Sequence, residues 1–164
     1  RDQQVRYAPR HKKVEQIERA EKLIGEIDPK KRYSYEYLCY RITDYRPDAV
    51  LGSTMLGADV KHDLRLFVED VSDSANVPAE AAGERVLTVD DLSKMFNVST
   101  KTISRWREQG LVSRRFIFAG GRRRVGELVA GRDDERGKGV ARVELDRAVQ
   151  QAAAMPVVFP TKTL

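Results

Sequence analysis

A chain of 164 residues with 41% hydrophobic content can bury a core in one ordinary domain or two small ones, which excludes a disordered polymer. The net charge of +5 is unevenly spread: residues 47–100 carry 4 Lys or Arg against 10 Asp or Glu, whereas residues 101–124 carry 8 against 1. No run of about 18 apolar residues and no secretion-type leader occurs, and a lone Cys39 rules out an internal disulfide or a paired-cysteine metal site, so a cytoplasmic protein without a membrane role is expected.

In chain order, the first predicted element is an amphipathic helix after Pro9, with Val14, Ile17, Ile24 and Ile27 at helical spacing and an end near Asp28-Pro29. The segment YSYEYLCYRITDYRP follows as a second helix capped by Ser34, with Tyr35, Leu38, Ile42 and Tyr45 on one side. Its early tyrosine alternation equally fits a strand. A third helix is predicted on DVKHDLRLFVEDVSD, where Val60, Leu64, Phe67, Val68 and Val71 form an apolar stripe. Together these define a helical domain over residues 1–71. Residues 72–85 are small, polar and broken by Pro78 and Gly83, and are predicted to be a linker.

A second domain is expected over residues 86–155. Thr88 and Asp91 have the spacing of a capping pair at the start of a short helix that offers Leu92, Met95 and Phe96 to a core and stops near Asn97. Ser99 caps a second helix, 99–109, after a turn of a few residues with Val98 at the corner. A tight helix-turn-helix of this kind can lay its second helix in the major groove of DNA. At 100° per residue Ile103 and Trp106 share one face and Lys101, Ser104, Arg105 and Glu108 the opposite one. Trp106 is therefore assigned to the core, and Lys101 and Arg105 to the groove, where cations reach guanine edges or phosphates. Thr100 and Thr102 stand where a hydroxyl can bond a phosphate, and Ser104 lies beside them.

After Gly110, a suitable left-handed helix end, Arg114-Arg115-Phe116-Ile117-Phe118 faces Arg122-Arg123-Arg124-Val125 across Gly120-Gly121. This predicts a two-stranded wing over 113–126 whose Arg114, Arg115, Arg122, Arg123 and Arg124 meet the DNA backbone. A charged loop over AGRDDERGKG, a final helix near Ala141 to Ala154 and an extended tail over 156–164 complete the chain. The expected fold is thus mainly α with a small β wing: an N-terminal helical bundle plus a winged helix-turn-helix.

LTVDDLSKMFNVSTKTISRWREQGLV with GGRRRVG resembles the MerR and excisionase type of winged helix-turn-helix, over residues 87–126, about a quarter of the chain. MerR regulators usually carry an arginine just after the isoleucine of the second helix; Ser104 stands there, with Arg105 next, so the excisionase-like branch is the better match. A longer resemblance takes in YSYEYLCYRITDYRP, LRLFVEDVSDSANVPAEAAGE and the helix-turn-helix in that order, which look like the N-terminal extension of certain bacterial sigma factors of the sigma-70 family. Nothing after Gly126 resembles the polymerase-binding or promoter-reading regions of a complete sigma factor. These resemblances imply double-stranded DNA as partner, with RNA polymerase as a further one; because one winged module buries only roughly 600–1,000 Å² on DNA, a second copy of the chain or a larger host protein is also expected.

No phosphate loop, nucleophile elbow or dinucleotide fingerprint occurs, and His11 and His62 sit on charged helices without neighbouring ligands, so neither enzyme activity, metal nor cofactor is expected. Asp133 to Glu135 read as a solvated charge run. The leading expectation is a sequence-specific DNA-binding protein of bacterial transcription. The alternatives are an adaptor docking on RNA polymerase and the targeting head of a site-specific recombination or excision system.

Overall fold

The computed structural model describes residues 7–46, 52–109 and 111–129. The predicted charged loop, final helix and tail lie outside these residues, as does Gly110. The described part is mainly helical with two small antiparallel sheets.

Helix α1 (Arg10–Glu26) buries Lys13, Ile17, Ala20, Leu23 and Ile24, a stripe repeating every three or four residues. Lys13 rather than Val14 opens that stripe, and its ammonium lies 3.4 Å from the Ser74 carbonyl oxygen, so the buried charge is not left bare. The chain then forms β1 (Arg32–Ser34) and α2 (Tyr35–Thr43), whose first turn is capped by the Ser34 hydroxyl accepting from the Tyr37 amide at 3.2 Å. Strand and helix thus both exist in the tyrosine-rich segment, one after the other. Left-handed Asp44 (φ 57°) ends α2, so Tyr45 lies beyond the helix and is 55% exposed instead of sharing the buried side with Leu38 and Ile42.

A second short strand, β2 (Thr54–Leu56), pairs antiparallel with β1, a pairing the sequence pattern does not announce. It delivers the chain into α3 (Gly57–Ala75), whose Gly57 and Ala58 amides are satisfied by the Lys31 and Pro29 carbonyls at 2.7 and 3.0 Å. Val60, Leu64, Val68 and Val71 of α3 pack on α1 and α2 to form one core, with Phe67 half-buried against it.

The segment predicted as a linker from Ser72 is structured. Residues 72–75 are the last turn of α3, with Ser72 fully buried; a single 3-10 turn occupies Ala79–Ala81; and β3 (Arg85–Thr88) follows. Small polar residues looked like a spacer, yet small side chains are also what a close helix-to-strand approach requires.

Helices α4 (Val89–Phe96) and α5 (Thr100–Gln109) are joined by Asn97–Ser99, with Asn97 left-handed at φ 53°. The Thr88 and Asp91 capping pair is formed in both directions, at 3.2 and 2.9 Å, and the hydrogen bond from the Thr88 hydroxyl holds the Asp91 carboxyl below its ordinary range. A second core of Leu87, Leu92, Ile103 and Leu111 is flanked by Met95, Phe96, Val98 and Trp106. Trp106 meets Phe96 edge to face at 5.9 Å, which agrees with its assignment to the core.

Strands β4 (Arg114–Phe118) and β5 (Arg122–Val129) form the hairpin, in register Phe118↔Arg122 to Arg114↔Gly126. Its turn comprises Ala119–Gly121, with Gly120 and Gly121 at φ 78° and 75°. Beyond Gly126 β5 runs on along β3, making a three-stranded sheet in the order β3-β5-β4. The strands come together tightly at Gly126, where an added Cβ would meet Val86 Cγ1 at 2.5 Å.

Strand β4 is an edge strand, and its outward amides are closed by the last turn of α3 and the residues just after it. The Arg115 amide donates to the Ser72 hydroxyl at 2.8 Å and the Ile117 amide to the Val77 carbonyl at 2.9 Å.

Candidate nucleic-acid interface

The first candidate surface is the outer face of α5. The Ser99 hydroxyl accepts from the Thr102 amide at 3.2 Å and lies 3.0 Å from the Thr102 hydroxyl, while buried Ile103 pins the inner face. Lys101 and Arg105 follow at i and i+4 on the opposite side, both exposed, and neither side chain takes part in a hydrogen bond or ion pair among the described residues. Thr100 and Ser104 are also exposed, but the Ser104 hydroxyl donates to the Thr100 carbonyl at 3.1 Å. Thr102 is half-buried, its side chain spent on the cap. Of the five α5 residues singled out, Lys101 and Arg105 are the pair left to meet a ligand.

The five hairpin arginines do not act as one cluster. Arg122 and Arg124 are exposed, and their side chains take part in no hydrogen bond or ion pair among the described residues. Arg123, one residue out of phase with them along the strand, points the other way and reaches Asp73 Oδ2 at 3.3 Å and Asn76 Oδ1 at 2.7 Å. Arg115 lies 3.8 Å from Glu69 and stays 45% exposed. Arg114 is withdrawn from the surface: with 14% of its side chain exposed, it binds both carboxylate oxygens of Glu21 on α1, at 2.7 and 2.6 Å. Arg114, expected from the sequence to meet DNA with the other four, thus turns the Nε and Nη2 side of its planar fork onto Glu21 inside the protein.

Arg107, on α5 but not singled out from the sequence, heads a chain of polar contacts between the two halves of the molecule. Its guanidinium donates to Glu69 on α3 and, at 2.8 Å, to the Ser113 hydroxyl, which in turn donates to Glu127 on β5. Glu127 is 4% exposed, and burial pushes its carboxyl up to about 8, against the opposing pull of the Ser113 hydroxyl and the Arg107 charge. A single glutamate inside RRRVGELV carries no sequence signal for this role. Glu21, Glu69 and Asp73 were likewise hidden among ordinary helix-surface acids.

Among the described residues, no group of three or more His, Cys, Asp or Glu side chains is arranged to hold a metal ion, and no helix is long and apolar enough to cross a membrane. No family model, curated protein or solved structure matches the chain.

Proposed function

We propose that the chain is a double-stranded-DNA-binding protein of bacterial transcription, in which α4, α5 and the β4-β5 hairpin act as a winged helix-turn-helix. The observation that carries this reading is the cationic pair Lys101 and Arg105, whose side chains have no partner among the described residues, on the outer face of a helix fixed from behind by Ile103 and Trp106. In a major groove such side chains donate to guanine O6 and N7 or to phosphate. Arg122 and Arg124 supply the non-specific contact at the hairpin, and the protein acts by binding without catalysis.

Arg105→Ala is expected to weaken binding to a selected site by about 1–3 kcal/mol and to relax preference at one base pair, with little change on random duplex. Replacing Arg122 and Arg124 together should weaken all sequences alike and flatten the dependence of log Kd on log salt by roughly 2. Selection of a preferred site from a random duplex pool, followed by titrations over a range of salt, measures both. Equal binding of parent and Arg105→Ala to every duplex would remove α5 from the groove.

A second reading, an adaptor that docks on RNA polymerase, is favoured by the exposed aromatic side of α2. Tyr37 and Tyr40 are each 39% exposed there, with Arg41 and Arg46 stacked over their rings. Retention of purified polymerase by the parent, and its loss when both tyrosines are replaced by serine, tests that reading without DNA.

A further inference from the structure

The acidic side of α3 lies against the hairpin that the functional reading places on DNA. Glu69 and Asp73 are one helical turn apart, and Asn76 ends the helix in a left-handed conformation at φ 51°. The end of α3 is where helix carbonyls point outward and favour cations. Arg10 donates to the Asn76 carbonyl at 3.1 Å, and Arg123 to its side-chain oxygen at 2.7 Å as well as to Asp73. Carboxylates and carbonyls so placed offer Arg115 and Arg123 what a phosphate backbone offers: oxygen acceptors and negative charge at guanidinium distance.

The hairpin contacts fall into two classes. Arg114 is bidentate and 14% exposed, whereas Arg115 and Arg123 are 45% and 52% exposed, at 3.8 and 3.3 Å from their carboxylates. Exposed pairs of that kind are weak and exchange readily; a buried fork does not. Backbone anchoring does not depend on them, because the Arg115 and Ile117 amides are held by Ser72 and Val77.

We propose that the end of α3 is an internal competitor for DNA: Asp73 and Asn76 hold Arg123, and Glu69 holds Arg115, in the free protein, and both guanidiniums pass to phosphates when a duplex binds. This rests on the reading of the hairpin as a DNA-contacting wing. The helical bundle then sets how tightly the module holds non-specific DNA, with Arg114–Glu21 keeping the two parts together in both states.

The test is a double-mutant cycle on the full chain, read as affinity for a random-sequence duplex at several salt concentrations. Asp73→Asn should bind about two- to fivefold tighter than the parent, the size of an exposed ion pair, and Arg123→Ala should bind more weakly with a shallower salt slope. In the Arg123→Ala background, Asp73→Asn should bring no gain. Asn76→Gly, which keeps the left-handed backbone and removes the acceptor, should repeat the gain, and thermal melts report that each variant is folded. An equal gain with and without Arg123 would show simple removal of negative charge and overturn the competition, as would no gain from either variant. If neither parent nor variants bind duplex, the DNA reading fails and the inference falls with it; binding by the parent with a flat cycle sinks the inference alone.

Discussion

Glu127→Gln is expected to remove a fall in stability that the parent shows as pH rises from about 4.5 to about 8. The carboxyl has an ordinary value of 4.5 and is pushed up to about 8 in the folded protein, with burial the largest cause. Below 4.5 both folded and unfolded chains hold the proton, and the group contributes no pH dependence. Between the two values the unfolded chain releases the proton while the folded chain keeps it, so unfolding is favoured progressively; above about 8 both have released it and the loss is complete. At 1.36 kcal/mol per unit, the separation sets an upper limit of about 4–5 kcal/mol on that loss. Glutamine keeps an oxygen to accept from Ser113 and has no charge to desolvate. The variant should match the parent near pH 4 and exceed it by several kcal/mol near pH 8.5, as measured by urea denaturation at each pH. A variant that is weaker than the parent at every pH would instead show a charged Glu127 held by Arg107 through Ser113.

The second large effect is expected at Arg114. Arg114→Ala leaves Glu21, only 27% exposed, facing a vacated cleft between α1 and β4. Breaking a buried pair costs about 3–5 kcal/mol, and the partial exposure of Glu21 reduces this to about 2–4 kcal/mol here. Arg114→Leu combined with Glu21→Leu should recover most of the loss, since the desolvation of both charges is removed together. Duplex affinity, corrected for the folded fraction, should stay at the parental value in both variants. A tenfold loss of DNA binding by folded Arg114→Ala would return this residue to the interface.

These two sites show where sequence was informative and where it was not. Capping is chemistry between near neighbours, so Ser34, Thr88 with Asp91, and Ser99 could be placed at their helix starts from residue type and spacing alone. The apolar stripes of α1 and α3 and the Gly120-Gly121 hairpin were legible for the same reason. Ser72 was not: its hydroxyl bonds a strand amide 43 positions away, and nothing local distinguishes it from a spacer serine. Nor does a run of arginines declare its partners. Strand alternation separates Arg123 from Arg122 and Arg124, but Glu21 meets Arg114 across 93 residues of sequence, and only the fold brings them together. The unexpected β3 has a related cause. VLT is too short to show a period, and its strand character comes from lying beside β5.

The closing of β4 by Ser72 and Val77 decides how this protein can be divided. A fragment beginning at residue 86, the start of the second domain expected from the sequence, would leave the Arg115 and Ile117 amides as an open seam along an edge strand. Open seams recruit other strands, so such a fragment would tend to zip edge to edge with its own copies. The smallest piece that behaves as the parent does must carry the end of α3 with it, and the bundle acts as a built-in shield against self-association.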